Sequence, residues 1–393
     1  MVRLLIIVLT FIYFSYSQQL AQIINLALEN NPTLKSYENL IRSKELRSEY
    51  KLSLPNPVVG FALQSVELEY PFPRASNPMS GLALFISQKY VLGEKRKKDS
   101  QIAEKWKEKI KKDKELFERR LIRRIKENYF DFQYSFLLED LSKSIKREIE
   151  DLLDVSEEHY IYDRTNLSDL IFLKVELKKI EESIVFSRRL REKSLANIKA
   201  LVGVDIEVER EDLPLLKFPE TFNPSKSIFV RVIEKEIEVL KAEEDRLKVE
   251  HLPDIYLTGA YLVRPDIPDL ITLKAGFTIP LWYEKKEKLM VMEKREDIRA
   301  KISYMEGIKL EVEGEYEALK AIYLSLREMY DLVRKEIEEK KKEIESLNVA
   351  FIYEKEDFRE LLRAYRELWK LKLREIKLLL DISKVVVKAE ELL

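Results

Sequence analysis

Cysteine is missing altogether from the 393 residues. That excludes disulfides, thiolate metal sites, a thiol nucleophile and a lipid-carrying N-terminal cysteine. Histidine occurs only as His159 and His251, far apart in the chain; without cysteine support they read as interfacial or surface side chains rather than metal ligands. Glycine is scarce, with 8 residues, so few tight turns are available. There is no phosphate-binding glycine loop, no HExxH and no GxSxG, and neither an enzyme nor a cofactor is expected. The 70 basic and 71 acidic residues leave a net charge of -1, which gives no general pull toward nucleic acid, and none is expected as a partner. Beyond the N-terminus no apolar run is long enough for a spanning helix, which needs about 20 residues.

What the chain has in quantity is charge of both signs, 36% of residues, mixed with leucine and isoleucine. Such a mixture suggests long amphipathic helices rather than a sandwich or a doubly wound domain. At the start, MVRLLIIVLTFIYFSYSQQ places Arg3 before an apolar run and then small Ser15 and Ser17. Residues 1–17 therefore read as a secretory signal peptide, with a membrane anchor as the alternative.

The chain is organised by an internal duplication. Residues 160–179, YIYDRTNLSDLIFLKVELKK, recur without a gap as residues 351–370, FIYEKEDFRELLRAYRELWK. Ile161, Tyr162, Leu170, Glu176, Leu177 and Lys179 return as Ile352, Tyr353, Leu361, Glu367, Leu368 and Lys370. Asp163, Arg164 and Asp169 return with their charge kept, as Glu354, Lys355 and Glu360. A repeat this long marks a duplicated domain-sized plan rather than a solenoid. We read residues 18–203 as the first copy, 204–226, the stretch richest in turn formers, as a linker, and 227–393 as the second copy.

Each copy follows one order: a helix, a β-hairpin and a long helical hairpin. In the first, Leu20, Ile23 and Ile24 have helical spacing, punctuated by Asn31 and Pro32, and the pattern stops at Leu54 and Pro55. Residues 58–70 and 82–90 look extended, joined by a proline-rich loop. From about Gly93 some 60 residues contain neither proline nor glycine, far beyond the dozen or so of an ordinary helix, so this helix must pack along partners. A returning helix over 167–202 ends at Gly203, a natural C-cap. The second copy gives a helix over 227–250, strands over 255–263 and 271–281, and helices over 284–348 and onward to about 393.

The run 271–281 alternates strictly. Ile271, Leu273, Ala275, Phe277, Ile279 and Leu281 interleave with Thr272, Lys274, Gly276, Thr278 and Pro280. That suits a transmembrane β-strand, which needs about 9 to 11 residues, with Ile271, Leu273, Phe277, Ile279 and Leu281 facing lipid. Taken alone it suits a half-buried strand of a soluble sheet better. Four such strands are too few to close a barrel, and lipid does not tolerate open edges, so in a membrane several chains must share one. Tyr70, Phe72, Tyr90, Trp282 and Tyr283 sit at strand ends, where an aromatic girdle is expected.

Several of these segments together resemble outer-membrane efflux proteins of the TolC type. LALENNP resembles that family's opening helix, ISQKYVLGEK the end of its first hairpin, and LPDIYLTGAY and AGFTIPLW its second. Each duplicated turn resembles the family's periplasmic tip motif. Asp163 and Glu354 stand at its glycine, Asn166 and Asp357 at its small residue, and Asp169 and Glu360 at its acid. Leu170, Ile171, Leu361 and Leu362 form its aliphatic pairs. Both tip glycines are thus replaced, and Arg363 falls where some members carry a second acid.

The resemblance implies a mainly helical, duplicated chain. Three copies would form a homotrimer, each giving four strands to one shared β-barrel in outer-membrane lipid and its helices to a long periplasmic helical barrel. An inner-membrane pump and a periplasmic adaptor would dock at the constricted tip. The tip positions Asp163, Asn166, Asp169, Glu354, Asp357 and Glu360 would gate it, Asp169 and Glu360 foremost, by acidic rings favouring cations. As isolated residues the same acids read as solvated helix charges. The implied function is a passive exit duct for efflux or secretion. The rival is a secreted coiled-coil adaptor or scaffold, for which helices dominating both halves and strands confined to two equivalent hairpins are an awkward fit.

Overall fold

A computed structural model describes residues 18–66, 72–74, 76–92, 94–161, 166–353 and 358–393, with backbone only for His159 and Ile352. The signal sequence, Tyr70 and the tip positions Asp163, Glu354 and Asp357 lie outside the described residues. The chain is mainly helical with one four-stranded sheet. In order, it runs α1 (Gln18–Asn30), α2 (Pro32–Lys51), β1 (Val58–Gln64), β2 (Gly81–Tyr90), α3 (Lys95–Ile161), α4 (Leu167–Val202), α5 (Ile228–Lys248), β3 (Ile255–Val263), β4 (Leu270–Phe277), α6 (Glu287–Ile352) and α7 (Phe358–Leu392). Two compact units share these elements. The first comprises residues 1–35, 115–229 and 309–393, the second residues 36–114 and 230–308, so each unit draws on both sequence copies.

In the first unit the core is a helical one. Leu20, Ile24, Ile125, Phe130, Ile198 and Val387 form one fully buried cluster, and Ile145, Leu173, Leu361, Leu362, Trp369 and Ile382 belong to another. Helix α3 reaches 67 residues because nothing in it breaks the backbone ladder, and its length is stabilised by apolar contacts rather than by propensity. The motif around Asn31 has a clear physical basis. Its buried side-chain carbonyl accepts from Thr33 N at 2.9 Å, starting α2, while its amide donates to Leu201 O at 2.8 Å near the end of α4. Gly203 follows in the left-handed region, φ 81, returning its N–H to Lys199 O. A Cβ there would also meet Asn30 O and Pro32 Cδ at 3.4 Å.

The segment read as a linker is a packed strap. Residues 204–223 carry no helix or strand, yet Leu213 and Leu216 are buried in the core. Gln133, itself fully buried, donates to Glu209 O at 2.9 Å and accepts from Glu211 N at 2.8 Å. The strap ends in aromatic contacts, Phe222 stacking on Tyr316 and Phe218 tilting against Tyr316 and Tyr323. Side chains of the helices satisfy part of its irregular backbone, at Glu209, Glu211, Leu216 and Pro219, and so fasten it where Leu213 and Leu216 enter the core.

In the second unit the strands form an antiparallel meander in the order β1-β2-β3-β4. Two boundaries differ from the sequence reading. The first strand stops at Gln64, where Ser65 turns with φ 52; residues 67–70 of the expected extended run lie outside the described residues. The last stops at Phe277. Thr278 N still donates to Asp254 O at 3.1 Å, but Pro280 has no N–H to offer a ladder, and the chain winds into a short 3-10 turn over Tyr283–Lys285. Ile279 and Leu281 therefore flank the sheet and are not strand residues, though both are exposed. The helix after this turn begins at Glu287 and ends at Ile352, three residues later at its start and about four at its end than expected.

Candidate functional site

The registers of the three strand pairs sort the sheet into two faces, because directly opposed residues point the same way. One row pairs Phe61 with Leu84, Leu84 with Tyr261, and Tyr261 with Ile271. The next pairs Val59 with Ile86, Ile86 with Gly259, and Gly259 with Leu273. Leu63, Leu82 and Val263 continue the same face toward one end, and Leu257, Ala275 and Phe277 toward the other, where Gln88 opposite Leu257 interrupts it. Elsewhere along these rows the side chains are apolar and open to solvent, Phe61 at 76%, Ile271 at 75% and Leu273 at 83% exposure. An uncovered apolar face spanning every strand of a sheet needs an apolar medium or partner. The sequence-predicted lipid-facing residues Ile271, Leu273 and Phe277 all lie on it.

The opposite face is small and polar over much of its area. Val58, Ser87, Thr258 and Lys274 form one row across it, with Ser87 Oγ and Thr258 Oγ1 hydrogen-bonded at 2.8 Å. Toward one end Lys89 meets Asp254 at 3.0 Å, and buried Lys95 meets the same carboxylate at 3.0 Å. Toward the other end Ala83 and Leu262 are buried, and Gly81 is required, since a Cβ there would sit 2.6 Å from Val263 O. Both outer strands, β1 and β4, have one edge with no strand beside it among the described residues. Likewise, no described helix is long and apolar enough to cross a membrane.

The second candidate site is the pair of duplicated turns, both in the first unit. Asn166 precedes α4 in extended conformation, its carbonyl accepting from Asp169 N at 2.9 Å, with no side-chain cap. Asp169 is in the first helical turn, where an acid complements the helix dipole, yet only 5% of it is exposed. Arg359 from the other copy reaches it, Nε to Oδ1 at 3.2 Å, and Nη2 donates to Ser168 Oγ at 3.3 Å. Residues 168 and 359 are counterparts in the repeat, so the two copies touch at equivalent positions, as residues on a twofold axis do. Glu360 is exposed and pairs with Arg363 in its own helix at 2.7 Å. Two turns deeper the counterparts diverge. Glu176 takes Arg366 at 3.3 Å and Lys179 at 2.8 Å, whereas Glu367 takes Lys340 of α6 at 2.6 Å.

Sequence reasoning singled out the acids and missed Arg359 and Arg366, which hold two acids of the opposite copy. The signal was present in the repeat itself, because counterparts meet only if the two turns lie side by side. The structure thus brings Asp169 to Arg359 and leaves Asn166 and Glu360 outside that contact.

A mainly helical chain with one four-stranded sheet and two apposed helical turns has the fold of TolC-type outer-membrane channels. The OprN outer-membrane channel superposes with a TM-score of 0.81 at 13% identity, covering 96% of this chain and 90% of that one. The CmeC outer membrane channel of Campylobacter jejuni gives 0.77 at 13% identity, over 95% and 85%. The open state of the MtrE channel of Neisseria gonorrhoeae gives 0.75 at 14% identity, over 95% and 88%. Comparison of the sequence with protein-family models and with curated proteins finds no match. At such identities the likeness is one of fold, carried by the pattern of elements rather than by shared residues.

Proposed function

We propose that this chain is one of three subunits of an outer-membrane exit duct, a passive conduit in a tripartite efflux or type I secretion system. The observation that carries the reading is the uncovered apolar face across β1 to β4 together with the two unpaired outer edges. A sheet of four strands cannot close on itself, and exposed strand edges are not tolerated in hydrocarbon. Three copies joined edge to edge satisfy both demands, with Phe61, Leu84, Ile271 and Leu273 toward lipid and the Ser87–Thr258–Lys274 row toward a water-filled lumen. In this reading the helices extend into the periplasm, and the duplicated turns form the end that meets the adaptor and pump. Energy comes from the pump, and no group in the duct reacts with its cargo.

The deciding experiment is expression of the full chain with its N-terminus, separation of outer membrane from soluble periplasm, and measurement of oligomer mass in mild detergent. A trimer extracted only from the outer membrane is the expected result. A soluble monomer or dimer overturns the duct and favours a periplasmic adaptor or scaffold.

A further inference from the structure

The polar face of the sheet has a one-sided charge that the apolar face does not explain. Within the four strands there is no aspartate or glutamate, and the ionisable groups of the polar face that carry charge near neutral pH are Lys89 and Lys274. Lys89 is compensated by Asp254, which Lys95 engages as well. Lys274 is exposed and has no ion-pair partner among the described residues. It stands opposite Thr258, whose hydroxyl is bonded to that of Ser87, so an ammonium and two hydroxyls share one level of the sheet.

Resting on the reading as a duct, we infer that this row is an anion-attracting collar inside the barrel, and that the solutes it favours are anionic. Three copies place three Lys274 ammonium groups around one lumen at the same height, walled by a low-dielectric sheet that focuses their field. Hydroxyls beside them supply hydrogen-bond donors without adding negative charge. An anion passing the row exchanges part of its water shell for these groups, while a cation meets only repulsion and two weak acceptors. At the end of the sheet Lys89 and Lys95 share the one Asp254 carboxylate, so the balance there is positive as well and does not oppose this field.

The test uses the purified full chain in planar bilayers under a potassium chloride gradient, with reversal potential as the readout and chloride and potassium as probes. The chloride-to-potassium permeability ratio is expected to fall about twofold in Lys274→Gln and further in Lys274→Glu, with Lys274→Arg near wild type. Thr272→Lys, which adds a charge to the same face, is expected to raise it. Reversal potentials that stay the same through this series, at normal conductance, overturn the collar and leave the duct standing. A wild-type protein that forms no pore overturns the duct itself, and the collar with it.

Discussion

Glu139 shows how much one carboxylate contributes to the helical unit. It lies almost buried on α3, with Lys143 at 2.8 Å and Arg191 of α4 at 2.7 Å. Those donors, Lys143 first and then Arg191, hold its carboxyl down to about 2, against a usual value of about 4.5. A depressed folded-state value means stability that is in full force above the usual value and is lost as pH falls through the folded one. The expected outcome is a melting temperature that drops between pH about 4.5 and about 2, with a smaller drop in Glu139→Gln, read by circular dichroism across that range. Lys126 is the opposite case. Burial pushes its ammonium down, and the Glu390 carboxylate at 2.7 Å opposes that, so the pair is held by proximity inside the core rather than by solvent.

Among the elements, the junction of α1, α2 and α4 depends on one side chain. Asn31→Ala removes the cap on α2 and leaves Leu201 O without its donor. A loss of about 1–3 kcal/mol in unfolding free energy is expected, measured by denaturant titration. The duplicated turns make a second prediction. Asp169 is tied to Arg359 across the two copies, whereas among the described residues Glu360 is tied within its own helix. If these turns constrict the duct, neutralising both acids in Asp169→Asn with Glu360→Gln unties the copies and removes negative charge at once. A higher single-channel conductance and a lower potassium-to-chloride permeability ratio than wild type are expected; an unchanged conductance and ion preference would remove both residues from gating. Helices α3, α4 and α7 were legible in the sequence because they are long, periodic and free of breakers, and α4 stops at a glycine. The apolar face of β4 was legible from its alternation as far as Phe277. The ladder ended there because Pro280 changes backbone geometry without changing the hydrophobic period, and period was the signal being read.

At the level of the whole molecule, the duplication was readable because two segments of sequence match, but the contacts it produces were not. Arg359 and Ser168 carry no resemblance to each other, and only the side-by-side placement of the two turns turns them into partners. The strap over 204–223 was hidden for another reason. Its prolines and acids have the composition of a linker, and its burial depends on Gln133 and Tyr316, which belong to helices far away in sequence. The sheet has the same dependence in a stronger form. Each hairpin, β1 with β2 and β3 with β4, is built from neighbouring residues, but the pairing of β2 with β3 brings together positions such as Ser87 and Thr258, 171 residues apart. Joining them costs the closure of a long loop, and high sequence separation slows such pairings. While a ribosome is still making the second copy, β2 has only β1 beside it, and the first hairpin keeps two open edges until β3 is made. The helical core waits longer still, because α7, made last, supplies Leu361, Trp369 and Val387 to it, so both units are completed only with the second copy in hand.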